Sequence, residues 1–130
     1  MTLYIADTHA LVWYFTKNEK LGQKAFQVFR DSILGEAIII IPTIVLAETI
    51  DIAEKKRIKI DLEELLDRIE ESSNFEVYPL DLNVLKTMRN IYNIPELHDK
   101  IIVSTARLLD AKLITKDENI QKCGLIEIVW

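Results

Sequence analysis

The chain is 130 residues long, 49% apolar and 28% charged, with a net charge of −5. That mixture can fill the core of one domain, residues 1–130, and it excludes a disordered chain, since Gly and Pro number only three each. The acidic balance excludes a global field that would draw nucleic acid, so any such role has to rest on a local basic surface or on metal ions.

The longest apolar run, Ala37 to Ala47, is interrupted by Pro42 and Thr43 and falls short of the roughly 18 residues a membrane span needs. The first residues lack a basic region, and Asp7 and His9 interrupt the apolar stretch that a signal peptide would need, so none is expected. The single cysteine, Cys123, has no internal disulfide partner. Together these point to a cytoplasmic protein with no membrane association.

Leu3 to Ala6 is a short apolar run ending in Asp7, as a buried strand would be. A helical pattern begins at Thr8, and a second helix is expected over Gly22 to Leu34, stopped by Gly35. Ala37 to Ile41 reads as a central parallel strand, β-branched on both faces. Pro42 is expected in the first turn of a helix reaching about Lys56. Asp61 caps a helix to about Glu71, Phe75 to Tyr78 is a strand, and Asp81 caps a helix to about Tyr92. A connection through Pro95 leads to a helix over Asp99 to Asp110 and a strand over Lys112 to Thr115. A short turn or helix near Asp117 to Gln121 and a strand over Ile126 to Val129 complete the chain. Strands separated by helices indicate βαβ crossovers, hence an α/β fold with a mostly parallel sheet. Ligands of such sheets bind beyond the carboxyl ends of the strands, where the strand order reverses.

Two acids fall at that edge: Asp7 directly after the first strand, and Asp117 shortly after the strand at Lys112. Glu48 lies one helical turn from Ile44 and Ile52, at the border of an apolar stripe, and Asp99 shares a face with Ile102, Val103 and Ala106. Each has a plain alternative, as a helix cap for the three Asp and as an exposed residue beside Asp51 and Lys55 for Glu48. As a group they differ, because carboxylates at one sheet edge repel by about 4 kcal/mol per pair at 4 Å and an effective dielectric of 20. A cation would offset that repulsion, and hard oxygen donors select Mg²⁺ or Mn²⁺. Thr8 and Thr115 lie in the same loops and serve either as holders of metal-bound water or as turn residues.

Four stretches carry a family resemblance: Tyr4 to Trp13, Ile41 to Glu48, His98 to Val103, and Leu113 to Asn119. In order and spacing they resemble PIN-domain proteins of the VapC toxin type, over nearly the whole chain. The resemblance implies a three-layer α/β/α fold with a central sheet of four to five strands. It also implies a Mg²⁺- or Mn²⁺-dependent endoribonuclease acting on RNA, with Asp7, Glu48, Asp99 and Asp117 as catalytic and metal-holding acids. Asn119 is the alternative to Asp117. Many relatives carry Arg after the third acid, where this chain has Lys100, which keeps the charge but loses the guanidinium fork. The family also implies a homodimer and a small antitoxin whose helix lies in an apolar groove.

Other features have plainer explanations. His9 and His98 stand beside candidate acids but read as capping residues, and Lys55 to Lys59 as a solvated helix end. Lys17, Lys20 and Lys24 form a looser basic set. Trp13, Tyr14 and Phe15 cannot all face one side of a helix, so at least one is expected at a surface or interface. Cys123 reads as a small apolar filler. A non-catalytic RNA- or protein-binding module on the same fold is the alternative function. A phosphatase needs an acid where His9 stands, and a receiver domain needs paired acids where Asp7 is alone.

Overall fold

The computed structural model describes residues 1–130. Ile39, Ile40 and Ile41 are successive strand residues and therefore point to alternate faces, yet all three are buried. Both faces of the sheet are thus covered by helices, which is why this segment is apolar without alternation. The strand, β2 (Ala37–Pro42), is next to β1 (Thr2–Ala6) in an all-parallel sheet with β3 (Phe75–Tyr78), β4 (Lys112–Ile114) and β5 (Ile128–Val129). The order is β3-β2-β1-β4-β5.

The chain runs outward from β1 through β2 to β3, then returns to the other side of β1 to lay down β4 and β5. The order therefore reverses between β1 and β4. Seven helices fill the crossovers: α1 (Thr8–Phe15), α2 (Gln23–Ile33), α3 (Thr43–Glu54), α4 (Leu62–Glu71), α5 (Leu82–Met88), α6 (Leu97–Leu109) and α7 (Glu118–Lys122). Gly35, at a left-handed φ of 77°, follows the end of α2 and turns the chain into β2. No helix is long and apolar enough to cross a membrane.

Several boundaries differ from the sequence expectation: the last strand begins at Ile128 and not Ile126, and α3 ends at Glu54, two residues short of Lys56. Pro42 is the last residue of β2 and the N-cap of α3, one position before the first turn. Helix α5 stops at Met88 instead of near Tyr92, because the chain turns inward to bury Ile91 and Ile94. Helix α6 starts two residues earlier than Asp99, at Leu97, because Glu96 caps it, accepting the Asp99 N–H at 2.7 Å. The other caps follow the sequence: Asp61 and Asp81 accept the N–H groups of Glu64 and Val84.

The aromatic triplet divides as the helical angle requires. Tyr14 stacks on buried Phe29 with centroids 4.1 Å apart, and Phe15 lies 5.8 Å from Phe75. Trp13 points elsewhere, toward the carboxyl edge of the sheet.

Candidate active site

Beyond the carboxyl ends of β1 and β4 lies an open pocket of about 380 Å³. Its walls include Asp7, Glu48, Asp99 and Asp117, contributed by four separate segments. Asp7 follows β1, and its N–H donates to the Ile114 carbonyl at 3.2 Å, which ties the first acid to the end of β4 across the switch point. Its carboxylate also caps α1, accepting the Ala10 N–H at 2.8 Å. Capping and pocket lining are both realised by the same side chain. Asp117 does the same for α7, accepting the Ile120 N–H at 3.0 Å.

Glu48 sits on α3 with its side chain 27% exposed. It accepts a hydrogen bond from the Thr8 hydroxyl at 2.9 Å, across 40 residues of sequence. The plain alternative for Glu48, an exposed residue flanked by Asp51 and Lys55, does not describe it, since its side chain is partly buried and bound by Thr8, while Asp51 and Lys55 pair with each other at 2.9 Å. Asp99 occupies the first turn of α6 and not its cap; the helix N-terminus favours negative charge there.

The two hydroxyls of the site are spent on its acids. Thr8 holds Glu48, and the fully buried Thr115 accepts the Asp117 N–H at 3.0 Å, shaping the turn that carries Asp117. His98 Nδ1 lies 3.0 Å from Glu96 and 3.7 Å from Glu48. Burial alone would push the Glu96 carboxyl up, but the N–H groups of Asp99 and His98 and the adjacent imidazole hold it below its ordinary range.

The electrostatics report convergence. Loss of hydration first, then the charges of Asp117, Glu96, Glu48 and Asp7 in that order, together raise the Asp99 carboxyl to about 6. Asp7 is raised as well, first by burial and least by Asp117, against hydrogen bonds from Thr115 and Ala10 and the charge of His9. Desolvated acids that repel one another are unfavourable unless something positive joins them.

The donor set suits a hard divalent ion. It is all oxygen, as Mg²⁺ and Mn²⁺ require, with His98 turned toward carboxylates. No three of the acids are gathered tightly enough to grip one ion together. Mg²⁺ keeps most of its water and is held by one or two protein carboxylates plus substrate phosphates, so the residues fit it without a closed cage.

Asn119 lines a different hollow, with Asn93 and Cys123, so Asp117 is the acid that reaches the pocket. The sequence reading missed Glu118, Lys116 and Trp13 as pocket residues, and Glu96 as a neighbour of Asp99. For Glu96 a signal existed: an acid three residues before Asp99 is a capping spacing. Trp13 was marked only as one of three crowded aromatics, and Lys116 and Glu118 simply flank Asp117.

A model of the PIN domain matches residues 4–124 of the chain. Among solved structures, VapBC2 from Rickettsia felis bound to a promoter DNA fragment superposes with a TM-score of 0.72 at 17% identity, over 98% of this chain and 97% of that one. DNA-bound VapBC from Salmonella typhimurium gives 0.70 at 19% identity, over 98% and 97%. VapBC-1 from nontypeable Haemophilus influenzae gives 0.67 at 18% identity, over 98% and 96%. At these identities the likeness is one of fold. Comparison with curated protein sequences gives no match.

Proposed function

The chain belongs to the PIN-domain family, and from that premise we propose that it is a Mg²⁺- or Mn²⁺-dependent endoribonuclease, the toxin of a toxin–antitoxin pair. The observation that carries this reading is the gathering of Asp7, Glu48, Asp99 and Asp117 around one pocket at the strand switch point. Asp7 and Asp99 would hold the ion. Glu48, fixed by Thr8, would complete the site or orient the attacking water, and Asp117 would support a second ion or the water shell. When bound, the ion makes that water a nucleophile at neutral pH and offsets charge on the leaving oxygen. The residues' own work is positional: Asp7 is locked by Ala10, Glu48 by Thr8, and Asp117 by the Thr115 turn.

The VapBC complexes with which the chain shares its fold support a protein partner. A separate hollow of about 540 Å³, walled by Tyr14, Phe15, Leu21 and Phe26 with Arg68 alongside, is suited to the apolar face of an antitoxin helix. Leu80, Leu82 and Leu85, exposed on or just before α5, offer apolar surface for a homodimer.

The test is RNA cleavage by the purified protein with Mg²⁺ or Mn²⁺, and growth of bacteria expressing it with and without its neighbouring small protein. Loss of cleavage and relief of growth arrest are expected in Asp7→Asn and Asp99→Asn; cleavage at the parental rate in both variants would overturn the assignment. A second reading, a binding module without catalysis, draws on the spacing of the acids, which is too wide for three of them to grip one ion. Calorimetric titration with Mn²⁺ separates the two, since such a module need not take up the ion at its acids.

A further inference from the structure

Trp13 is not used by the chemistry above, yet it stands at the lip of the acidic pocket and also walls the apolar hollow beside it. Its indole is half-buried and braced. The Trp130 ring meets it edge-on at 5.8 Å and 64°, and His9 lies 5.4 Å away. Trp130 is itself fixed, because its main-chain oxygen accepts the N–H groups of Lys24 and Ala25 at 3.1 and 3.2 Å, at the start of α2. Its carbonyl and ring lie so close to Gly22 that an added Cβ would come within 2.4 Å of the carbonyl oxygen.

Two exposed lysines from different loops rest on this platform. Lys116 Nζ is 5.5 Å and Lys20 Nζ 5.8 Å from the Trp13 ring centroid. Lys116 also lines the acidic pocket, one residue from Asp117. These are loose cation–π contacts on flexible stems, so either ammonium is free to swing to a nearby phosphate. An aromatic platform flanked by cations is the arrangement that binds single-stranded nucleic acid, the ring taking a base and the cations the backbone. In a chain of net charge −5, it supplies the local basic surface that an RNA substrate requires.

We propose that Trp13, with Lys116 and Lys20, forms a nucleobase-stacking subsite that holds one unpaired nucleotide of single-stranded RNA beside the pocket carboxylates. The base lies on the indole, and the lysines leave the ring for the phosphates on either side. A base inside a duplex has both faces covered by its neighbours, so the subsite admits only an unpaired one. This inference rests on the ribonuclease reading and assigns how that site selects its substrate.

The chain has two tryptophans, so Trp130→Phe keeps an aromatic brace and leaves Trp13 as the sole indole reporter. Its fluorescence is titrated in EDTA with a single-stranded oligouridylate and with an abasic strand of equal length. Quenching by the base-bearing strand, with little from the abasic one, is expected, and Lys116→Gln weakens that binding. In steady-state cleavage, Trp13→Leu raises KM about tenfold with kcat changed less than twofold, within the roughly 5- to 150-fold that loss of one stacked base produces. Trp13→Phe, which keeps a stacking face and the packing, recovers most of the loss. Equal quenching by both strands, no quenching, or an unaltered KM in Trp13→Leu overturns the subsite. Absence of cleavage by the parent with either ion overturns the ribonuclease reading instead, and the quenching comparison then decides the subsite alone.

Discussion

Replacing Asp99 with Asn removes one charge from a pocket in which Asp117, Glu96, Glu48 and Asp7 all repel it. A carboxyl that titrates near 6, where its ordinary value is 3.8, loses about 3 kcal/mol when ionised in the folded chain, at 1.4 kcal/mol per unit. Asp99 is only partly buried, so solvent screening reduces this, as does the favourable first turn of α6, leaving about 1 kcal/mol. A raised carboxyl pKa makes the folded state hold its proton longer than the unfolded one. Stability is therefore full below 3.8, falls as pH rises toward 6, and stays lost above. Asn carries no charge at any pH and escapes that fall. In EDTA at about pH 7.5, Asp99→Asn should melt roughly 4 °C above the parent, and the gap should close near pH 4, where the parental acid is largely neutral. Adding Mg²⁺ or Mn²⁺ should raise the parent's Tm and leave the variant's nearly unmoved. Calorimetry of both proteins across pH makes the measurement. A variant that melts at or below the parent at neutral pH without metal would refute the claim that these acids are crowded against their own repulsion.

Three further outcomes are expected. Thr8→Val removes the hydroxyl that fixes Glu48 while keeping its shape, so cleavage should fall about 10- to 100-fold with little change in Tm; an unchanged rate would show that Glu48 needs no such anchor. Gly22→Ala drives a Cβ to within 2.4 Å of the Trp130 carbonyl oxygen, at a backbone φ of −62° that alanine tolerates. The cost is mainly steric, about 1–3 kcal/mol, with a smaller loss because Ala is a poorer N-cap than Gly for α2, and equal denaturation midpoints would refute the contact. Leu82→Glu, at a leucine 65% exposed, should leave Tm within a few degrees but shift the protein to monomer in analytical ultracentrifugation if α5 forms the homodimer contact.

Much of the fold was legible locally. The run Ala37 to Ile41 announced a strand covered on both faces, and Asp61 and Asp81 announced their helices, because cap and periodicity operate over three or four residues. Errors fell where a local pattern met tertiary packing. Ile91 and Ile94 fit a continuing helix until burial turned the chain away from it. Asp99 alone fits a cap position, but Glu96, three residues earlier, takes it by accepting the Asp99 N–H.

The amino-acid order alone determined an α/β chain with acids following β1 and β4, since alternation and capping are near-neighbour physics. It could not determine that Thr8 would meet Glu48 across 40 positions, or that Trp130 would brace Trp13. Thr8 meets Glu48 because β1 and β2 pair and send α1 and α3 from the same sheet edge, and Trp130 reaches Trp13 because the returning chain adds β4 and β5 beside β1. Contacts between distant segments depend on how the layers pack, and a linear pattern holds no record of that.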